Sequence, residues 1–168
     1  MTLKTFPVQG GARYENDWGF PRSGGRTHEG TDLFGAIGTP LLAVEDGDLR
    51  FSQEGFGGNV AYLRGVDGVT YFYAHLSGYE GQAPRAVKAG DVIGYLGKTG
   101  NAETTEPHLH FGVYQGGAQN PFPLLQQASV ASGRSGVLWG LGIAAVLSLG
   151  AYAYLNPSGF QRALRLKF

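Results

Sequence analysis

One eight-residue stretch constrains the fold more than any other: Pro107-His108-Leu109-His110-Phe111-Gly112-Val113-Tyr114. Its apolar and polar residues alternate. On a β-strand, successive side chains point to opposite faces. His108, His110 and Tyr114 therefore share one face, and Leu109, Phe111 and Val113 share the other. The second face reads as core. The first sets two imidazoles about 7 Å apart along the chain, which makes it a floor suited to metal chemistry. A single His-x-His is a common pattern. It gains weight here because the chain has four histidines in all, and the other two also stand in telling contexts.

The remainder reads as short strands joined by tight turns. The 29 glycines, together with many Val, Phe and Tyr residues, favour strands over helices. At 168 residues there is room for one domain with its own core. Alternating strands are expected at 48–52, 59–64 and 70–76, and Asp67-Gly68 between two apolar runs signals a hairpin. His75 stands at the end of the third of these strands, followed by a loop at Ser77-Gly78. That placement suits a cleft, although a lone histidine there also fits a structural role. Glu45, Asp46 and Asp48 read as solvated turn acids. Ser23-Gly24-Gly25-Arg26 reads either as a mobile loop or as a plain connector.

The fourth histidine lies in His28-Glu29-Gly30-Thr31-Asp32. On an extended strand residues four apart are about 13 Å apart, too far to share an ion. Gly30 and Thr31 are poor helix formers. A turn at Gly30 that folds His28 back toward Asp32 is the preferred reading. Taken alone, the pair also fits a surface histidine beside an aspartate.

The chain has no cysteine. Disulfides and thiolate ligands are excluded, so any zinc must be held by histidine and carboxylate. The net charge of zero hides an asymmetry. Residues 1–133 carry nine basic and all 13 acidic side chains, whereas 134–168 carry Arg134, Arg162, Arg165 and Lys167 and no acid. Two segments with different surroundings are expected. Nothing resembles a basic nucleic-acid-binding face, and no nucleic-acid partner is expected.

Taken together, these motifs resemble the lysostaphin/LytM-type zinc metallopeptidases, which cut peptide bonds in bacterial peptidoglycan. The matching text is His28-Glu29-Gly30-Thr31-Asp32, Tyr73-Ala74-His75-Leu76-Ser77, Val87 through Gly94, Thr99-Gly100 and His108-Leu109-His110-Phe111. Order and spacing agree over roughly residues 13–115. The resemblance implies a mainly β fold, a compact antiparallel sheet with a narrow groove. It implies that His28, Asp32 and His110 bind Zn²⁺, and that His75 and His108 are catalytic histidines that do not ligate the metal. Two histidines and one carboxylate leave a fourth zinc position open for water, as catalytic zinc requires. A neutral imidazole can accept a proton from that water, and an imidazolium can stabilise the developing oxyanion. The sequence does not say which histidine does which. Tyr114 shares the strand face and fits either substrate contact or packing.

The C-terminal segment differs. Residues 137–155 form a 19-residue run without a charge. As a helix it would be about 28 Å long, enough to cross a bilayer core. Trp139 lies near one end and Tyr152 and Tyr154 near the other, like interfacial belts. The expected organisation is a zinc metallopeptidase domain over 1–127, a linker over 128–136, one transmembrane helix over 137–155, and a basic amphipathic tail over 156–168. The cationic tail places the C-terminus inside and the catalytic domain outside, facing the cell wall. Residues 1–7 do not read as a secretory signal peptide. A single-pass protein of a phage virion membrane or of a bacterial inner membrane is expected, with peptidoglycan and the lipid bilayer as partners. Three function classes follow: an anchored peptidoglycan endopeptidase, including a virion lytic enzyme of endolysin type; a non-catalytic wall-binding or regulatory module on the same fold, which loss of a ligand would mark; and a structural virion membrane protein.

Overall fold

A computed structural model describes residues 1–131 of the chain. The described strands are β1 (Thr31–Phe34), β2 (Pro40–Leu42), β3 (Gly47–Glu54), β4 (Gly58–Gly65), β5 (Thr70–Leu76), β6 (Gly78–Tyr79), β7 (Arg85–Val87), β8 (Val92–Tyr95), β9 (His108–Tyr114) and β10 (Ala118–Gln119). One helix follows, α1 (Phe122–Ala131). The main sheet is antiparallel throughout, in the order β1-β9-β5-β4-β3-β7, with β10 paired to β9. A smaller antiparallel sheet runs β2-β8-β6.

The alternation of β9 sorts its side chains as expected. Leu109, Phe111 and Val113 are fully buried and join Leu33, Leu49, Leu63, Tyr71 and Tyr73 in one core. In an antiparallel pair, residues directly opposite share a face. Asp32 lies opposite His110, and His110 lies opposite Ala74. The register therefore lays Asp32 and His110 side by side on the face away from the core. The Asp67-Gly68 signal holds: Gly68 takes φ +79° in the turn between β4 and β5. Asp67 accepts from the Val69 amide at 3.1 Å and the Tyr71 hydroxyl at 2.6 Å.

Two readings need correction. Glu45 is not solvated. It is 5% exposed, pairs with Lys4 and accepts from the Asp46 amide. Asp46 accepts from the Ala89 amide and from Lys88. These turn acids tie the N-terminal segment and the turn before β8 to the sheet. The segment read as a linker from residue 128 begins instead as helix. Asn120 accepts from the Phe122 amide at its start, and Pro123 sits in the first turn, where proline is tolerated. Leu125 and Ala128, three apart, are both buried against the core, so α1 runs on through Ala131. The rest of that linker, the 137–155 span and the tail lie outside the described residues. Among the described residues no helix is long and apolar enough to cross a membrane.

Candidate metal centre and its groove

The register of β1 and β9 places two of the expected ligands, and a bend at Gly30 brings the third. His28 Nε2 lies 2.9 Å from His110 Nδ1 and 3.1 Å from Asp32 Oδ1, and His110 Nδ1 lies 3.1 Å from the same oxygen. Ligand atoms that each stand 2.0–2.2 Å from one tetrahedral ion lie about 3.3–3.6 Å from each other. The triangle is close to that size. Two imidazole nitrogens and a carboxylate oxygen also form a donor set that zinc accepts. Gly30 is what permits the approach. A Cβ there would stand 2.5 Å from His110 Cε1 and 2.8 Å from the Phe111 carbonyl oxygen. The residues present fit a small cation.

The electrostatics point the same way. His28 is 3% exposed, and burial opposes its protonation. Hydrogen bonds that the ring donates to Asp17 and Asp32 outweigh that and push its pKa up to about 9. Burial likewise opposes ionisation of Asp32, but its hydrogen bonds to His110 and His28 hold it well below the usual carboxylate range. The centre draws positive charge. His110 shifts the other way, because its burial outweighs the bond to Asp32 and pushes its pKa down.

His75 and His108 sit beside the triangle, not in it. Their rings are 4.9 Å apart, and His75 is 6.1 Å from the His110 ring. His108 Nε2 is 3.9 Å from Asp32 Oδ1. Each ties Nδ1 to a backbone carbonyl: His75 donates to Thr99 O at 2.9 Å and His108 to Glu106 O at 2.8 Å. A carbonyl can only accept, so Nδ1 carries the proton and Nε2 is the free nitrogen in both neutral rings. Burial above all pushes the His75 pKa down to about 4.

The backbone at His75 is unusual. Its φ is +69°, the one positive value among the described non-glycine residues. Asn59 and Ala61 of β4 pair with Leu76 and Tyr73 of β5, so β5 carries one extra residue there. This is a β-bulge, and bulges re-aim side chains beside functional sites. Plain alternation from Tyr71 and Tyr73 would have put His75 on the core face. The bulge is held by its hydrogen bonds. The His75 amide donates to Gly57 O, Thr99 Oγ1 donates to Leu76 O, and Thr99 Oγ1 accepts from the Asn59 amide.

All five residues line one groove of about 980 Å³. Its floor continues along the sheet through Phe72, Tyr62 and Tyr114. Tyr114 therefore faces the groove as the strand pattern predicts. A Cβ on Gly112 would meet the Tyr114 ring at 2.9 Å, so the glycine makes room for that ring.

Two site residues carry no signal in the sequence. Asp17 accepts from His28 Nδ1 through its carbonyl oxygen and through Oδ2, each at 3.1 Å. That fixes the His28 proton on Nδ1 and turns Nε2 toward the triangle. Arg22 Nη2 reaches Asp32 Oδ2 at 2.6 Å. Both lie in the turn-rich stretch just before His28. That stretch is a small hairpin in which Pro21 bridges Thr27 and Arg22 N donates to Arg26 O. A clamp also supports His108. Arg13 grips Glu106 through both carboxylate oxygens and stacks over Phe34, whose ring lies 5.4 Å from that of His108.

The sequence profile of Peptidase family M23 matches residues 26–121, more than half of the chain. The DD-carboxypeptidase/endopeptidase Mpg of Neisseria meningitidis is 42% identical over 87 residues, which cover 51% of this chain and 20% of that protein. The peptidoglycan DD-endopeptidase ShyC of Vibrio cholerae is 35% identical over 113 residues, covering 66% of this chain and 26% of that protein. The chain thus spans only about a fifth to a quarter of the length of these relatives. Among solved structures, the catalytic domain of the antimicrobial peptidase lysostaphin from Staphylococcus simulans superposes with a TM-score of 0.62 at 35% identity. That match covers 68% of this chain and 92% of the other. A zinc-containing peptidase from Vibrio cholerae superposes with a TM-score of 0.58 at 27% identity, covering 67% and 36%.

Proposed function

Because the chain belongs to peptidase family M23, we propose that it is a zinc-dependent endopeptidase that hydrolyses peptide bonds in the stem peptides or cross-bridges of bacterial peptidoglycan. The observation that carries this reading is the triangle of His28 Nε2, Asp32 Oδ1 and His110 Nδ1 on the floor of an open groove, with two further imidazoles at its edge. Zinc bound to those three residues supplies Lewis-acid polarisation of the scissile carbonyl and makes water acidic near neutral pH. The chain's own groups do the rest. His75 and His108 offer Nε2 as proton acceptor, and whichever ring gains a proton becomes a cation that steadies the oxyanion. The floor of Tyr62, Phe72 and Tyr114 gives an extended peptide an apolar surface on which to lie. Peptidoglycan as substrate is supported by the relatives, of which one is named a peptidoglycan endopeptidase.

Digestion of purified cell walls with the full-length chain tests this. Mass spectrometry of the released muropeptides is expected to show new amino and carboxyl ends at peptide bonds. No new reducing ends of glycan strands are expected. Chelation should stop the reaction and added zinc should restore it. Walls left intact by zinc-loaded protein would defeat the proposal.

The same reading extends to an anchor. Residues 137–155 would cross a bilayer once, in a phage virion membrane or a bacterial inner membrane, with the catalytic domain facing the wall. The support is the uncharged 19-residue run and its aromatic ends. The intact chain should float with liposomes in a density gradient. Replacing Ala144 and Ala145 by arginine should abolish flotation, because each charge at the bilayer centre costs about 2.5–3.5 kcal/mol on insertion scales. An intact chain that stays with the dispersed fraction as a monomer would remove the anchor.

A further inference from the structure

We propose that Arg22 is a positioning residue that holds Asp32 to metal coordination through a single oxygen. The inference rests on the metal-centre reading above. The two carboxylate oxygens of Asp32 are divided between different partners. Oδ1 faces the imidazoles, 3.1 Å from both His28 Nε2 and His110 Nδ1. Oδ2 accepts from Arg22 Nη2 at 2.6 Å. The same Nη2 lies 3.7 Å from Asp17 Oδ2, one of the two Asp17 oxygens that accept from His28 Nδ1. One guanidinium thus sits between the carboxylate that ligates and the carboxylate that orients another ligand.

This is not an ordinary surface ion pair. Exposed pairs contribute little, because water screens both partners. Here both acids are 7% exposed, and only Arg22 reaches solvent, with its side chain 40% exposed. A charge-assisted bond of this length to a buried carboxylate fixes the orientation of the carboxylate plane. The consequence concerns the count of ligands. A catalytic zinc must keep one position open. A carboxylate free to turn could offer both oxygens and fill that position. With Oδ2 engaged by Arg22, Oδ1 alone is offered.

The local chain is built to hold the arginine there. Gly19 N donates to His28 O, and His28 N donates to Phe20 O, so the segment carrying Arg22 is laced to the segment carrying His28. Arg22 N then donates to Arg26 O at 2.9 Å. At the tip, Arg26 Nε donates to Ser23 O, and its guanidinium lies 4.2 Å from the centre of the Phe56 ring. The hairpin presents Arg22 to Asp32 from a fixed distance.

The test uses the zinc-stripped full-length chain and two readouts that do not depend on turnover. Zinc affinity is measured by competition with a chromophoric chelator. Coordination number is read from the visible d–d band of the cobalt(II)-loaded protein, which weakens as ligands are added. R22Q should bind zinc about 10–100-fold more weakly, the usual cost of losing a group that supports a ligand, and its cobalt band should weaken. R22K keeps a cationic donor but lacks the planar fork, and should fall between R22Q and the wild type in both readouts. R22Q and R22K that both match the wild type would overturn the proposal. An R22Q chain that fails to fold while R22K matches the wild type would make Arg22 a loop anchor and overturn it equally. A wild-type chain that binds neither zinc nor cobalt would defeat the metal-centre reading itself, and the role of Arg22 with it.

Discussion

Replacing Asp32 by alanine should abolish metal binding and wall hydrolysis together. Asp32 Oδ1 is the shared vertex of the ligand triangle, 3.1 Å from both imidazole nitrogens. It is also the one anionic ligand in the set, so its removal leaves two imidazole nitrogens 2.9 Å apart with no carboxylate to draw a dication between them. The damage spreads to the neighbours. His28 loses one of the two acids that raise its proton affinity, and Arg22 loses its shortest partner. The loss of zinc affinity should therefore exceed the roughly 10–100-fold typical of residues that only support a ligand. Elemental analysis of the purified variant after dialysis reads the first effect, and muropeptide release reads the second. Asp48→Ala, an exposed carboxylate on β3, is the control and should change neither. Full zinc occupancy in the Asp32→Ala protein would take Asp32 out of the centre.

How much of this centre could be read from the sequence depends on how local its geometry is. His110 was legible because strand alternation is local: once 108–114 is a strand, the imidazole face follows. Asp32 opposite His110 is a matter of register between residues far apart in the chain. Register is not local, and only the resemblance to known metallopeptidases supplied it. His28 needed a bend at Gly30, and the composition of that pentapeptide pointed to one. Its physical necessity, the collision of any Cβ with the His110 ring, is visible only when the two strands are laid side by side.

His75 shows the limit most clearly. Alternation along 70–76 sends it into the core with Tyr71 and Tyr73. A bulge at positive φ turns it out again. Bulges are set by tertiary hydrogen bonds, here those of Thr99 and Gly57, which come from loops distant in the chain. Asp17 and Arg22 were illegible for a related reason. They sit in a turn-rich stretch without periodicity, and what makes them matter is contact with His28 and Asp32. Glu45 was misread because a turn acid usually faces water. Its burial depends on Lys4 arriving from the N-terminal segment. The start of α1 lacked a strong pattern, since Phe122 through Ala131 shows no clear polar face and carries no charge.

His75→Ala and His108→Ala should each retain zinc and each lose wall-hydrolysing activity by roughly 10²–10⁴-fold, the range expected when a proton-transfer group is removed. Neither nitrogen belongs to the triangle, and neither ring is needed to complete it. Each spends Nδ1–H on a carbonyl and keeps Nε2 for the groove. His75, with its pKa pushed down to about 4, is neutral throughout the physiological range, so its Nε2 is available to accept a proton without prior deprotonation. The alanine variant at this position has a second effect that must be separated from the first. At φ +69° a non-glycine backbone costs of order 1–3 kcal/mol, and histidine and asparagine tolerate that region better than alanine does. His75→Ala is therefore expected to lower stability as well as turnover, whereas His75→Asn should keep the bulge and still lack the proton acceptor. If His75→Asn folds as the wild type, binds zinc and remains inactive, the loss belongs to proton transfer. If it recovers turnover, His75 shapes the bulge and the chemistry rests on His108. A His75→Asn protein that folds as the wild type but cannot hold zinc would place that residue among the ligands and overturn the division between the two pairs of histidines.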